Sequence, residues 1–159
     1  MICRYICSSE DIQLIEINEY VFDENLIYYA GSEAHIWVKK LDDGKIKVGF
    51  DDFGQKLAGK ILFVRTMPPG KERKKGKSFG NIETGKYVGP LRSPVTGTIS
   101  EINPALKENP GLINDDPYGE GWIAIIDPAD LAGDLKEDFV EGADAIKEWI
   151  EKEIATHVK

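Results

Sequence analysis

Apolar residues recur along this chain with two different periods, and the switch between them divides it. Ile46-Lys47-Val48-Gly49-Phe50 alternates apolar with polar or small residues, as a strand with one buried face requires. Asp43-Gly44 supplies a tight turn back to His35-Ile36-Trp37-Val38, so the two segments predict a β-hairpin. Asp51 to Gly59 predicts one short helix, with acids at its start and a glycine at its end. Ile61-Leu62-Phe63-Val64 and Trp122-Ile123-Ala124-Ile125-Ile126 are unbroken apolar runs and predict strands buried on both faces. Proline and glycine punctuate the rest of this middle region at short intervals, which points to a β-sandwich or small barrel. From about Leu135 the period lengthens. Phe139, Ala143, Ile146, Ile150 and Ile154 recur at steps of three and four, with acids and lysines between them, and predict an amphipathic helix that closes the core.

The first thirty-four residues are rich in isoleucine, leucine, tyrosine and acids, and are too apolar for a disordered tail. Ser8-Ser9-Glu10-Asp11 suits a helix cap, whereas Ile12-Gln13-Leu14 alternates like a strand, and both readings stay open. The expected organisation is a single domain: residues 1–34 as an N-terminal extension packed on a body formed by 35–159.

Charge and residue usage narrow the function. With 159 residues the chain can bury an ordinary core. Its 20 basic and 28 acidic residues leave a net charge of −8, which disfavours nucleic-acid binding and adsorption to anionic lipid. No apolar run is long enough to span a bilayer, and Met1 to Cys7 lacks the features of a signal peptide, so a cytoplasmic location is expected. Cys3 and Cys7 are the only cysteines, and His35 and His157 the only histidines, so no metal set is expected. The cysteines read as plain thiols in a reducing compartment, with a redox or docking role as the alternative. His35 reads as structural, hydrogen-bonded at the start of its strand. Asp115-Asp116 reads as part of a turn rather than a cation site. Lys71 to Lys77 is a basic run in an acidic protein, either a solvated loop or an electrostatic docking patch. No nucleophile–base set and no phosphate-binding glycine loop is present, so the chain is not read as an enzyme.

One lysine is placed unusually well for chemistry. Ile82-Glu83-Thr84-Gly85-Lys86-Tyr87-Val88-Gly89 places Lys86 at the tip of a β-hairpin, with Ser93-Pro94-Val95-Thr96-Gly97 turning the chain again behind it. Gly85 is expected to accept the positive φ of a tight reversal. A stiff turn that holds an amine clear of the surface meets the needs of a covalent carrier: a modifying enzyme reaches it, and the attached arm moves while the protein does not. The lysine must lose a proton before acylation, which the modifying enzyme arranges.

The surrounding pattern resembles the glycine cleavage system H-protein family, lipoyl carriers of the lipoyl/biotinyl-domain superfamily. The matching stretches are His35-Ile36-Trp37-Val38, Val48 to Gln55, Gly59 to Val64, Gly76-Lys77, Glu83 to Lys86 and Ser93 to Gly97. They end with the block from Asn103-Pro104-Ala105-Leu106 through Asn109-Pro110 and Leu112-Ile113-Asn114 to Asp115-Asp116-Pro117-Tyr118-Gly119-Glu120-Gly121-Trp122. The resemblance implies a barrel-sandwich hybrid, a mainly β lipoyl/biotinyl-type sandwich with a C-terminal α-helix. It implies lipoate in amide linkage to Lys86, with Gly85 and Tyr87 standing where biotin carriers place methionines. It further implies a non-catalytic carrier that takes the aminomethyl group of glycine between glycine decarboxylase, aminomethyltransferase and dihydrolipoamide dehydrogenase, after modification by a lipoate ligase or lipoyl transferase. Ile36 stands where the family usually has glutamate, and Tyr87 where small residues are common. H-like lipoate-binding proteins of a heterodisulfide-reductase-like sulfur-oxidation pathway are therefore an alternative, and a non-lipoylated scaffold is a second.

Overall fold

The computed structural model of the chain describes residues 3–7, 13–31, 34–86 and 88–157. Three antiparallel sheets are present among the described residues. The first joins β1 (Cys3–Cys7), β2 (Gln13–Ile17) and β3 (Tyr20–Asp23) in that order. The second places β9 (Ser78–Thr84) between β7 (Ile61–Thr66) and β10 (Val88–Arg92). The third runs β13 (Phe139–Glu141), β4 (Ile27–Tyr29), β5 (Ile36–Lys40), β6 (Ile46–Phe50), β12 (Ala124–Pro128), β11 (Gly97–Ile102) and β8 (Glu72–Arg73). Five helices are interleaved: α1 (Asp52–Ala58), α2 (Ala105–Glu108), α3 (Leu112–Asp115), α4 (Leu131–Asp134) and α5 (Ala143–His157) among the described residues. No helix is long and apolar enough to cross a membrane, among the described residues.

Two cores follow from this layering. Val38, Val48, Ile61, Phe79, Ile82, Leu91, Ile99 and Ile126 fill the space between the second and third sheets, as the two inner faces of a β-sandwich do. Ile15, Ile17, Phe22, Tyr28, Trp37, Phe53, Ile146 and Ile150 form the second, where the first sheet, α1 and α5 meet the outer face of the third. The chain is thus a mainly β sandwich closed by a C-terminal helix.

The local signals that predicted elements act as expected. β5 and β6 pair with Val38 opposite Val48 and Lys40 opposite Ile46, and Gly44 turns between them at φ 87°. Asp51 caps α1 by accepting the Gly54 N–H at 2.8 Å, and Gly59 ends it at φ 84°, a conformation glycine adopts without strain. The run 122–126 meets its expectation only in part: its strand starts at Ala124, and Ile123, Ala124 and Ile126 are buried while Trp122 and Ile125 are half-buried.

Two expectations are corrected, and one that stayed open is decided in part. β7 is not buried on both faces: Leu62 is 42% and Phe63 56% exposed. It is an edge strand, and a bulge between Ile61 and Phe63 shifts its register, so only its inner side meets the core. Phe139 does not belong to the helix. It lies in β13 opposite Tyr29, because the free edge of β4 recruits it, and Gly142 at φ 90° separates that strand from α5. In the first segment, Gln13 and Leu14 belong to a strand; Ser8 to Ile12 lie outside the described residues.

Candidate functional site at the β9–β10 hairpin

The β9–β10 ladder closes at the pair Glu83–Val88, and the chain reverses between them. Below the reversal, Ile82 and Leu91 are buried and anchor both strands in the core. Thr84 is buried at the end of β9, and its Oγ1 accepts the Lys86 backbone N–H at 3.1 Å. That bond stiffens the tip from within. Lys86 is exposed. Gly85 does not adopt the expected left-handed backbone: the glycines with positive φ are Gly44, Gly59, Gly70, Gly76 and Gly142 among the described residues. The surroundings of Gly85 are open: an added β-carbon would meet nothing within 4 Å.

The Lys86 side chain extends over the end of α1. Its Nζ lies 3.7 Å from where a β-carbon on Gly59 would stand. Gly59 is held there by two bonds: its N–H donates to the Gln55 carbonyl at 3.0 Å, and its own carbonyl accepts Asn114 Nδ2 at 3.0 Å. Asn114 also donates to Gln55 Oε1 at 2.8 Å and accepts the Ile61 N–H at 2.9 Å. One side chain on α3 therefore ties α1 to β7 beneath the lysine. Sequence reasoning named the segment around Asn114 but not this role, which depends on a contact between distant parts of the chain. An asparagine directly after the apolar pair Leu112-Ile113, with both donor and acceptor to satisfy, was the available signal.

The rest of that distinctive block is structural. Tyr118 Oη donates to the Val21 carbonyl at 2.6 Å and accepts the Asp52 N–H at 3.0 Å. Trp37 Nε1 donates to the Pro117 carbonyl at 2.8 Å. Asn103 Nδ2 donates to the carbonyls of Glu120 and Trp122, both at 2.8 Å. Asp116 Oδ2 accepts the Glu120 N–H at 2.9 Å, closing a turn as expected. No metal-ligating cluster forms among the described residues.

His35 is buried between two carboxylates. Its Nδ1 lies 3.0 Å from Asp51 Oδ2, and its Nε2 lies 3.6 Å from Glu153 Oε1 on α5. Trp149 stacks on the ring at 4.9 Å, and Phe53 packs beside it. A ring whose two nitrogens both face carboxylates favours the imidazolium. Burial alone would lower its pKa, but Asp51 and then Glu153 more than offset this and raise it to about 9. Burial pushes the Asp51 carboxyl up, opposed by His35 and by the Gly54 N–H. The hydrogen bond from His35 holds Glu153 below its ordinary range. The network pins α5 to the α1 cap and gives His35 a structural role.

The basic run is only partly a solvated loop. Lys75 Nζ donates to the carbonyls of Asp134 and Glu137, both at 2.8 Å, and lies over the Phe139 and Tyr29 rings. Arg73 donates to Met67 Sδ through Nε and Nη2. Lys71, Lys74 and Lys77 are exposed. Cys3 and Cys7 lie on β1.

The sequence profile of the family described as glycine cleavage H-protein matches residues 27–153. A protein of Aquifex aeolicus named glycine cleavage system H protein 2 is 47% identical over 128 residues, covering 79% of each chain. A probable glycine cleavage system H protein of Thermococcus gammatolerans is 40% identical over 138 residues, covering 87% of this chain and 98% of that one. The crystal structure of a glycine cleavage system H protein from Mycobacterium marinum superposes with a TM-score of 0.68 at 26% identity, over 83% of this chain and 98% of that one. The chain belongs to the glycine cleavage H-protein family.

Proposed function

We propose that this chain is the lipoyl carrier of a glycine cleavage system, with the lipoyl group in amide linkage to Lys86 Nζ. The observation that carries the reading is an exposed lysine at the tip of a hairpin whose strands are anchored in the core by Ile82, Thr84 and Leu91. When attached, the lipoyl group supplies a dithiolane that accepts the aminomethyl group derived from glycine. The protein supplies the rest. Thr84 and the buried pair Ile82 and Leu91 fix the base of the arm, so its sweep is set by the arm's own bonds. The space around Gly85 is open, so a modifying enzyme can reach the flank of the lysine. Acylation removes the ammonium charge from the arm.

In this role the chain is a carrier and not a catalyst. Its partners are glycine decarboxylase, aminomethyltransferase, dihydrolipoamide dehydrogenase and a lipoate ligase or lipoyl transferase. Coexpression with a lipoate ligase followed by intact-mass measurement tests the attachment: one lipoyl increment is expected in the native chain and none in Lys86→Arg. An increment that survives in Lys86→Arg, or none in the native chain with any competent ligase, overturns it. Exchange of labelled carbon dioxide into glycine by glycine decarboxylase, supported by the lipoylated chain, tests the pathway.

A further inference from the structure

The sheet formed by β7, β9 and β10 turns one face to the core and leaves the other bare. Residues directly opposite one another on neighbouring strands share a face. Ile82 and Leu91 lie on the buried side. The alternate rows look outward: Phe63, Glu83 and Val88 form one, and Arg65, Asn81 and Pro90 the next. Phe63, Arg65, Val88 and Pro90 are exposed, so no second layer of described residues covers them. Leu62, Phe63 and Val88 are the exposed large apolar side chains among the described residues, and all three belong to this sheet. The row of Phe63, Glu83 and Val88 is the last rung below Lys86. Exposed apolar side chains gathered on one bare face mark a surface that another protein covers.

Charge says what kind of protein. Residues 60–92 hold this sheet and contain nine basic and two acidic residues, a charge of +7. The rest of the chain contains 11 basic and 26 acidic residues, a charge of −15. Arg73, Lys75 and Arg92 are taken up by Met67 and by main-chain carbonyls. Lys60, Arg65, Lys71, Lys74 and Lys77 are exposed, and no carboxylate among the described residues forms an ion pair with them. Lys77 precedes the start of β9, about 20 Å along that strand from the tip. The face is therefore apolar beneath Lys86 and cationic toward its far end, on a chain that is otherwise acidic. A long polyanion would also meet the acidic remainder of the chain. A protein surface can match this face alone, and carboxylates on it would relieve the repulsion among the cations.

We propose that the outer face of this sheet docks the glycine-decarboxylating enzyme that loads the arm on Lys86. The matching surface of that enzyme is an apolar hollow for Phe63 and Val88, bordered by carboxylates that meet Arg65, Lys71, Lys74 and Lys77. The inference rests on the reading of Lys86 as a carrier lysine and adds the chemistry of the partner's surface. The two halves of the face act differently. Burial of Phe63 and Val88 holds the complex together, whereas the lysines at the rim speed the encounter and make it sensitive to salt.

The full-length chain, shown by intact mass to be fully lipoylated, is titrated into carbon dioxide exchange by the glycine decarboxylase of the same organism. The titration is made at about 0.02 M and about 0.5 M salt, where charges are screened beyond roughly 20 Å and 4 Å. Phe63→Ser/Val88→Ser should raise the KM for the chain about tenfold at both salt concentrations, with kcat unchanged. Val88→Ser alone decides this half if the double variant has a lower denaturation midpoint than the native chain. Lys74→Glu/Lys77→Glu should raise KM about tenfold at low salt and leave it near native at high salt. Lys39→Glu/Lys40→Glu makes the same change of net charge at exposed positions on β5 and should leave KM within about twofold. A KM that neither set moves, or an equal loss from the β5 variant, overturns the proposal and leaves Lys86 as a carrier lysine. Self-association of the lipoylated chain that Phe63→Ser/Val88→Ser abolishes assigns the face to a second copy and also overturns it. No exchange with the native lipoylated chain removes the glycine-cleavage reading, and this proposal with it.

Discussion

Replacing His35 and Asp51 together, as His35→Gln/Asp51→Asn, removes a buried charge pair while keeping hydrogen-bonding groups in place. The magnitude follows from the histidine. Its pKa moves from an ordinary 6.5 to about 9, and each pH unit corresponds to about 1.4 kcal/mol, so the folded state gains roughly 3 kcal/mol from holding this proton. The group is almost fully buried, so solvent screens little of it. Because the folded-state pKa is the higher one, the gain is complete below pH 6.5 and is lost as pH climbs through about 9. The neighbours act elsewhere. Asp51, raised by burial, makes its difference in acid; Glu153, lowered by His35, adds stability that disappears as pH falls. Tyr28 and Tyr118, both raised by burial, enter only in stronger alkali, beyond the ordinary tyrosine range. Urea denaturation from pH 6 to pH 9.5, followed by the fluorescence of Trp149 that stacks on His35, measures the effect. The native chain should lose roughly 3 kcal/mol more than the double variant across that interval. Parallel curves for the two proteins would refute the ionic reading of the network.

Three further outcomes follow from packing. Gly49→Ala would drive a β-carbon to 2.5 Å from the buried Trp37 ring, and should cost about 1–3 kcal/mol in denaturant titration. Gly85→Ala meets open space and no left-handed backbone, so its melting temperature and its lipoyl increment in intact mass should match the native chain. Tyr118→Phe removes the bridge between the Val21 carbonyl and the Asp52 N–H and should cost about 1–3 kcal/mol, read as a lower denaturation midpoint at unchanged slope.

What the sequence made legible was local. The β5–β6 hairpin and α1 were readable because Asp43-Gly44, Asp51 and Gly59 act within a few residues of themselves. Lys86 at a reversal was readable for the same reason, although the wrong property was credited to Gly85. Elements decided by distant partners were not. Phe139 keeps helical spacing with Ile146 and Ile150, yet the edge of β4, more than a hundred residues earlier, claims it for a strand. The run through Leu62 and Phe63 records apolarity but not which face a second layer covers. Lys75 reads as one cation among several until α4 and β13 bring carbonyls and aromatic rings to it.

The candidate site has both kinds of cause. Its tip is built from neighbours in sequence, Thr84 holding Lys86, whereas its floor is built from afar, Asn114 holding Gly59 and Ile61 together. A carrier needs that division. If the tip took its shape from distant contacts, every encounter with a partner enzyme that disturbed the surface would also move the arm's anchor. If the floor were local, nothing would couple the hairpin to the rigid sandwich beneath it. In the proposed carrier role, a short self-contained turn on a floor tied by one half-buried asparagine keeps the anchor fixed while the arm alone moves.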